Sequence, residues 1–324
     1  MSREKDKDKK DKEKEQQEGS ARTRVIKDVL EHFTHDLSIG KMVQTGELRK
    51  RIPEPPFITP AGYNMTRIDR DHYSMNVLTR AANPSRNGII LQLHGGGYIG
   101  EVRNKYYTFA KMYCEMTEGF SVVTPDYRVG PEHKHPCALS DALDAYQWIM
   151  SLGFSSDKII LAGDSAGGGL CMALAMYLRD HNFPMPKAII AMSPWTDVTA
   201  SGESYKSNFD KDILFGNTYD SMIFHNPYFE GRAKADPYAS PLFGNFEGMP
   251  QMLIQVGSDE MLLSDSTAVA AKAKAAGVPV KLTVYEGMFH VFQMCYNMIP
   301  ESKEAWDEIE EYLRSICNIP VSGS

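Results

Sequence analysis

The chain has 324 residues, 42% of them hydrophobic, and a formal net charge of −7. That length and apolar content suffice for one large core with a small cap, and an α/β sheet of this size need not split into independent domains. The acidic balance argues against nucleic acid, whose binders concentrate a basic face, and against electrostatic attachment to anionic lipid.

From Ser2 to Glu18 the chain is almost wholly Lys, Arg, Asp, Glu and Gln with the two signs interleaved. Such a segment cannot form a core, so residues 1–20 are expected to be a disordered tail. It also lacks the apolar stretch of a secretory signal. From Ala21 to about Lys50 the apolar Val25, Ile26, Val29, Leu30, Phe33 and Leu37 recur at helical spacing. A helical segment over residues 21–55 must then lay one face on something. Strands follow near Met65–Tyr73 and Met75–Arg80, and their short link predicts antiparallel pairing.

The apolar strand Gly88–Leu93 runs directly into His94-Gly95-Gly96-Gly97-Tyr98. Successive glycines let a loop turn its amides toward one point, as an acyl-transfer site needs for the oxygen of a tetrahedral intermediate. A phosphate loop is the rival reading. It is the weaker one, since no Lys-Ser/Thr pair follows and no G-x-G-x-x-G pattern opens a helix. The amides of Gly95, Gly96 and Ala166 are assigned to the oxyanion, with Gly97 as the flexible neighbour. His94 is read as orienting this loop, His133 and His135 as part of a turn, and His32, His35, His72, His181 and His225 as surface or packing residues.

A strand near Phe120–Pro125 and a helix over Leu139–Leu152 lead to the strand Lys158–Ala162 and to Gly163-Asp164-Ser165-Ala166-Gly167. A serine between a strand and a helix, flanked by glycines, occupies a sharp turn that lifts its hydroxyl above the sheet edge. The helix that starts there turns unpaired N–H groups toward developing negative charge. After the strand Lys187–Met192, residues 198–232 are rich in aromatics, and an insertion there overlies the rim where α/β proteins bind ligands. The strand Met252–Val256 ends in Gly257-Ser258-Asp259-Glu260, before a helix over Ser264–Ala276. A carboxylate there can accept the imidazole Nδ1–H of a base. Asp259, nearer the strand end, is chosen, although spacing alone does not exclude Glu260. Asp265 is read as serving its own helix N-terminus. The base is His290, which follows the strand Val280–Tyr285 and precedes a helix over Ser302–Ile316. The chain order Ser165, Asp259, His290 is that of nucleophile, acid and base on an α/β-hydrolase sheet.

These residues resemble the hormone-sensitive-lipase-like branch of the α/β-hydrolases, which includes the bacterial family IV carboxylesterases. The resemblance rests on His94-Gly95-Gly96-Gly97, Asp126-Tyr127-Arg128 with Pro131-Glu132-His133, Gly163-Asp164-Ser165-Ala166-Gly167-Gly168 and Ser193-Pro194-Trp195-Thr196-Asp197, in order. Two positions depart from the family pattern: Glu260 stands where Pro commonly follows the acid, and Val291 where Gly commonly follows the base. The resemblance implies hydrolysis of esters with short to medium acyl chains, no cofactor, and a helical cap. The expected architecture is an α/β-hydrolase fold with a mostly parallel eight-stranded sheet flanked by helices. Residues 56–324 would form its core, and 21–55 with 198–232 the cap.

An amidase or N-deacetylase, or a receptor built on the same fold, are the alternatives; the retained serine, acid and base favour an enzyme. No metal is expected, because the five cysteines show no ligand spacing; they read as reduced thiols of a cytoplasmic protein. No run reaches the ~18 apolar residues of a membrane span. The last strand, if left at an edge, would either pair with a second copy in a homodimer or be covered by a loop.

Overall fold

Every residue of the strand Ile159–Asp164 is buried, and successive side chains leave a strand on opposite faces. Ile159 and Leu161 join one core, while Ile160 and Ala162 join another. A strand with no wettable side must lie inside a sheet covered by helices on both faces. That is its position in the structure, a computed structural model that describes residues 19–34, 42, 45, 47, 54–82, 84 and 87–319. Residues 1–18 of the expected tail over 1–20, and most of the expected segment beyond Thr34, lie outside the described residues, whereas Gly19 and Ser20 are described and Ser20 is bonded to Glu301 rather than belonging to a free tail.

Eight strands form one sheet: β1 (Tyr63–Asp69), β2 (Ser74–Arg80), β3 (Ile89–Leu93), β4 (Ser121–Asp126), β5 (Ile159–Asp164), β6 (Ala188–Met192), β7 (Gln251–Gly257) and β8 (Val280–Tyr285). Their order is β1-β2-β4-β3-β5-β6-β7-β8. The β1–β2 and β2–β4 pairs are antiparallel and the remainder parallel. β1 ends at Asp69 rather than at Tyr73, because Arg70 N–H donates to Tyr73 O (2.8 Å) and closes a tight turn.

The helices are α1 (Ala21–Thr34), α2 (Asn104–Met116), α3 (Cys137–Ser151), α4 (Ala166–Asp180), the single turn α5 (Ser204–Ser207), α6 (Leu263–Ala275) and α7 (Pro300–Cys317). Residues of α3, α4 and α6 cover one face of the sheet, and residues of α2 and α7 the other. Each fully buried Leu or Ile contributes about 1.5–3 kcal/mol, so the two-sided cover is the main source of cohesion. Among the described residues, no helix is long and apolar enough to cross a membrane.

A third, smaller core lies above the sheet edge. There Ile26 and Leu30 of α1 meet Ile213, Met288, Phe289 and Phe292. Glu301 fastens the start of α1 by accepting from Ser20 Oγ (3.1 Å) and Thr23 Oγ1 (2.7 Å). The insertion after β6 is less helical than expected: apart from α5 and the 3₁₀ turn Pro227–Phe229, residues 198–232 run as turns and irregular chain.

One close backbone approach joins α4 to β3. A Cβ on Gly167 would lie 2.1 Å from Leu93 O and 2.5 Å from His94 O, both backbone atoms. Gly167→Ala therefore has to push the helix off the strand. We expect it to destabilise the protein by about 1–3 kcal/mol or more, read as a lowered urea midpoint; an unchanged midpoint would contradict the packing described.

Candidate active site

β5 delivers Ser165 to the middle of the sheet edge, in a conformation (φ 50°, ψ −122°) that L-residues seldom adopt. Three backbone bonds hold it there: Ser165 N–H to Met192 O (2.9 Å), Trp195 N–H to Ser165 O (2.9 Å) and Gly169 N–H to Ser165 O (3.1 Å). Strain of this kind persists only where the surroundings over-determine it. The consequence is a hydroxyl aimed at the loop after β8. There His290 Nε2 lies 2.8 Å from Ser165 Oγ.

The other imidazole nitrogen, Nδ1, is 2.8 Å from Glu260 Oε2. Glu260 is fully buried. Its second oxygen accepts from Gly257 N–H and from Ser193 Oγ, both at 2.6 Å. Asp259, the carboxylate chosen from the sequence, points away from the imidazole and pairs with Lys27 Nζ of α1 (2.6 Å). The two adjacent carboxylates of the turn thus meet different partners, and the one farther from the strand end is the one beside the imidazole. Asp265 does not serve its own helix alone either: its carboxylate reaches across to accept from the amides of Thr196 (2.7 Å) and Asp197 (2.8 Å).

Burial by itself lowers the proton affinity of His290. The hydrogen bond and charge of Glu260 outweigh it, with further contributions from Asp212 and Asp164, and the net shift is above the ordinary 6.5. His94 goes the other way: burial lowers it to about 4, so it is neutral. It stacks on Tyr127 (ring centroids 4.0 Å apart) with Nδ1 2.8 Å from Gly95 O, which orients the loop as expected from the sequence.

The glycine loop needs one correction. Gly95 N–H is turned inward, donating to Tyr106 Oη (2.8 Å) and Asp164 Oδ1 (3.1 Å), so it is not free to meet a ligand. Gly96 and Gly97 instead line the cavity that contains Ser165 and His290. Among the described residues, their amides make no bond to a protein acceptor. Ala166, the first residue of α4, keeps its place beside the serine. Asp164, whose carboxyl burial pushes up to about 6 against His290, Tyr106 and the Gly95 amide, supports the loop from below.

The cavity measures about 280 Å³. Its far walls are apolar: Leu30 from α1, Leu214, Phe215 and Met222 from the insertion, and Phe289 and Met294 after β8. Phe215 packs its ring 4.8 Å from that of His290. A larger surface cleft of about 570 Å³ lies along Phe224–Lys234 and touches neither Ser165 nor His290. Sequence reading missed α1 Lys27, Tyr106 and Ser193. Of these only Ser193, within a quoted motif, carried any signal.

Residues 90–294 match the Abhydrolase_3 family, described as an alpha/beta hydrolase fold. The chain is similar to an acetyl-hydrolase of Streptomyces hygroscopicus, 35% identical over 70% of this chain and 75% of that one. It is also similar to an esterase of Acinetobacter venetianus, 34% identical over 72% and 77%. Among solved structures, that of the esterase EstE5 soaked with p-nitrophenyl butyrate is 32% identical, with a TM-score of 0.82 over 92% of this chain and 99% of that one. A hormone-sensitive lipase from a metagenome library is 30% identical, with a TM-score of 0.78 over 91% and 98%. With matches of this extent on a parallel sheet whose edge joins a serine, a histidine and a buried carboxylate, the chain belongs to the α/β-hydrolase superfamily as a hormone-sensitive-lipase-like carboxylesterase.

Proposed function

We propose that Ser165, His290 and Glu260 form the catalytic triad, that the amides of Gly96, Gly97 and Ala166 form the oxyanion hole, and that the preferred substrates are esters with short to medium acyl chains. The observation that carries this reading is the unbroken chain from Ser165 Oγ through the imidazole to Glu260, with both links at 2.8 Å. His290 takes the serine proton on Nε2 as Oγ bonds to the ester carbonyl carbon. The tetrahedral oxyanion is then met by the loop amides, each such donor being worth ~10²–10³ in turnover. Collapse expels the alkoxide, which leaves with the proton from His290, and an acyl-enzyme remains. Water repeats the sequence with the same base and releases the acid. No step calls for a cofactor or metal.

The apolar cavity, at the lower end of the ~300–1,000 Å³ usual for small-molecule sites, suits an acyl chain of modest length. The similar esterase EstE5 was soaked with p-nitrophenyl butyrate, an ester of a short acyl chain, which supports this choice. Helix α1 and residues 198–232 act as the cap that closes the pocket. The free cysteines fit a reducing, cytoplasmic compartment.

Ser165→Ala should abolish p-nitrophenyl ester hydrolysis in a folded protein, and a fluorophosphonate probe should label Ser165 of the wild type only. Retained turnover would remove the assignment. Among matched esters from acetate to dodecanoate, kcat/KM should peak among the shorter chains.

The two carboxylates separate cleanly. Glu260→Ala should lower kcat by up to ~10⁴. Asp259→Asn removes a partly exposed pair worth ~0–1 kcal/mol, so its activity should change by less than about fivefold. The reverse pattern would restore Asp259 as the acid.

The base must be neutral, and its proton affinity is raised, so activity is lost as pH falls through a midpoint that lies above 6.5. A pH profile of kcat/KM checks this. A limb centred below 6.5 would contradict the Glu260–His290 pairing.

A further inference from the structure

The turn that carries Glu260 is tied to β8 and the segment after it by Ser258 N–H to Tyr285 O (2.9 Å) and Asp259 N–H to Met288 O (3.1 Å), which leaves the carbonyls of Ser258 and Glu260 and the amide of Met261 to be met from elsewhere. Its own closing bond, Glu260 N–H to Gly257 O, is 3.5 Å long, at the limit of a hydrogen bond. The insertion meets those groups on the opposite side. Asn208 spends both hydrogens of its side-chain amide on this turn, donating to Ser258 O and to Glu260 O, each at 2.8 Å. Asp212 Oδ2 accepts from Met261 N–H at 2.7 Å, and Ser204 Oγ donates to Met261 O. These three residues recur every fourth position, and all are buried. The other oxygen of Asp212 accepts from the amides of Leu214 (2.9 Å) and Phe215 (3.0 Å), so the same carboxylate that fixes the turn also sets the ring packed against His290.

We propose that Asn208 and Asp212 are positioning residues for ester hydrolysis: by clamping the backbone on both sides of Glu260 they hold its carboxylate on His290, so that the cap insertion completes the triad as well as the pocket. This rests on Glu260 being the catalytic acid. Neither residue touches the imidazole or the serine directly. Their effect passes through the direction in which residue 260 leaves the backbone, to which a hydrogen bond of 2.8 Å is sensitive.

The charged and titratable groups facing His290 are Glu260 from the acid turn, Asp212 from the insertion and Asp164 from the end of β5. On the far side of the turn Lys27 is already paired with Asp259. Asn208 carries no charge, so its replacement reports on position alone. Without the clamp, the upward pull of Glu260 on the imidazole weakens while its burial persists, and the acid limb of kcat/KM moves down.

In the full chain, Asn208→Ala should lower kcat by ~10–100-fold, less than the ~10⁴ of removing the acid. KM should stay within about twofold and the acid limb should shift to lower pH. If that variant fails to fold, Asn208→Ser, which keeps one donor, should show the same shift in smaller measure. An unmoved acid limb in a folded variant, whether kcat is unchanged or KM alone has risen, would overturn the clamp and leave Asn208 as packing. Failure of the triad itself looks different: the wild type would then lack fluorophosphonate labelling and the acid limb altogether.

Discussion

The buried contact between Glu260 and His290 is the constraint around which the rest of the site is arranged. A carboxylate taken out of water costs several kcal/mol unless it is paired and hydrogen-bonded. Glu260, with no exposed surface, answers this with the Gly257 amide, the Ser193 hydroxyl and the imidazole. Ser193 comes from the loop after β6, Gly257 ends β7 and His290 follows β8. Three strand ends thus have to converge before one negative charge can be buried. The parallel register that aligns Asp164 with Met192 and Gly257 with Tyr285 is what brings them together.

The same convergence explains where strain is stored. Ser165 and Val291 both sit at positive φ. For a β-branched residue like Val291 this region is a genuine outlier, which gives a physical reason for the family's usual glycine at that position. Its amide donates to Ser193 Oγ (3.1 Å), the hydroxyl that donates to Glu260. The strained backbone therefore feeds the hydrogen-bond chain and cannot relax without loosening it.

How far the sequence was legible follows from the range of the forces involved. The nucleophile turn and the eight strands are local signals: glycines flanking a serine, and apolar runs of strand length. The sequence reading placed Asp259 beside the imidazole where the structure places Glu260, because the two are one residue apart. What separates them is a turn bonded by Asn208, some fifty positions earlier in the chain, and by Tyr285 and Met288 after it. The inward turn of the Gly95 amide escaped the sequence for a related reason. The loop's three glycines look alike in sequence, and only the contact with Asp164, 69 residues away, removes one amide from service. Helix α2 was available to the sequence, with Tyr106, Phe109, Ala110 and Tyr113 at helical spacing and buried. The insertion itself was legible from its aromatics, but its contacts with the turn of Glu260 were not, because a set made of Ser204, Asn208 and Asp212 leaves no apolar period to detect.

Substrate shape and catalytic geometry are consequently tied to one another in this enzyme. Asn226 Nδ2 donates to Gly97 O at 2.7 Å, Met222 crowds the same glycine, and Phe215 leans on His290. All three belong to the insertion that walls the pocket. A change that widens the pocket by moving this segment also moves the glycine loop after β3 and the turn that carries Glu260. Changes confined to side chains that end in the cavity, such as Leu30 or Leu214, leave those hydrogen bonds in place. Pocket size and rate can therefore vary separately only through the apolar tips, while the polar stems of the cap hold the chemistry together.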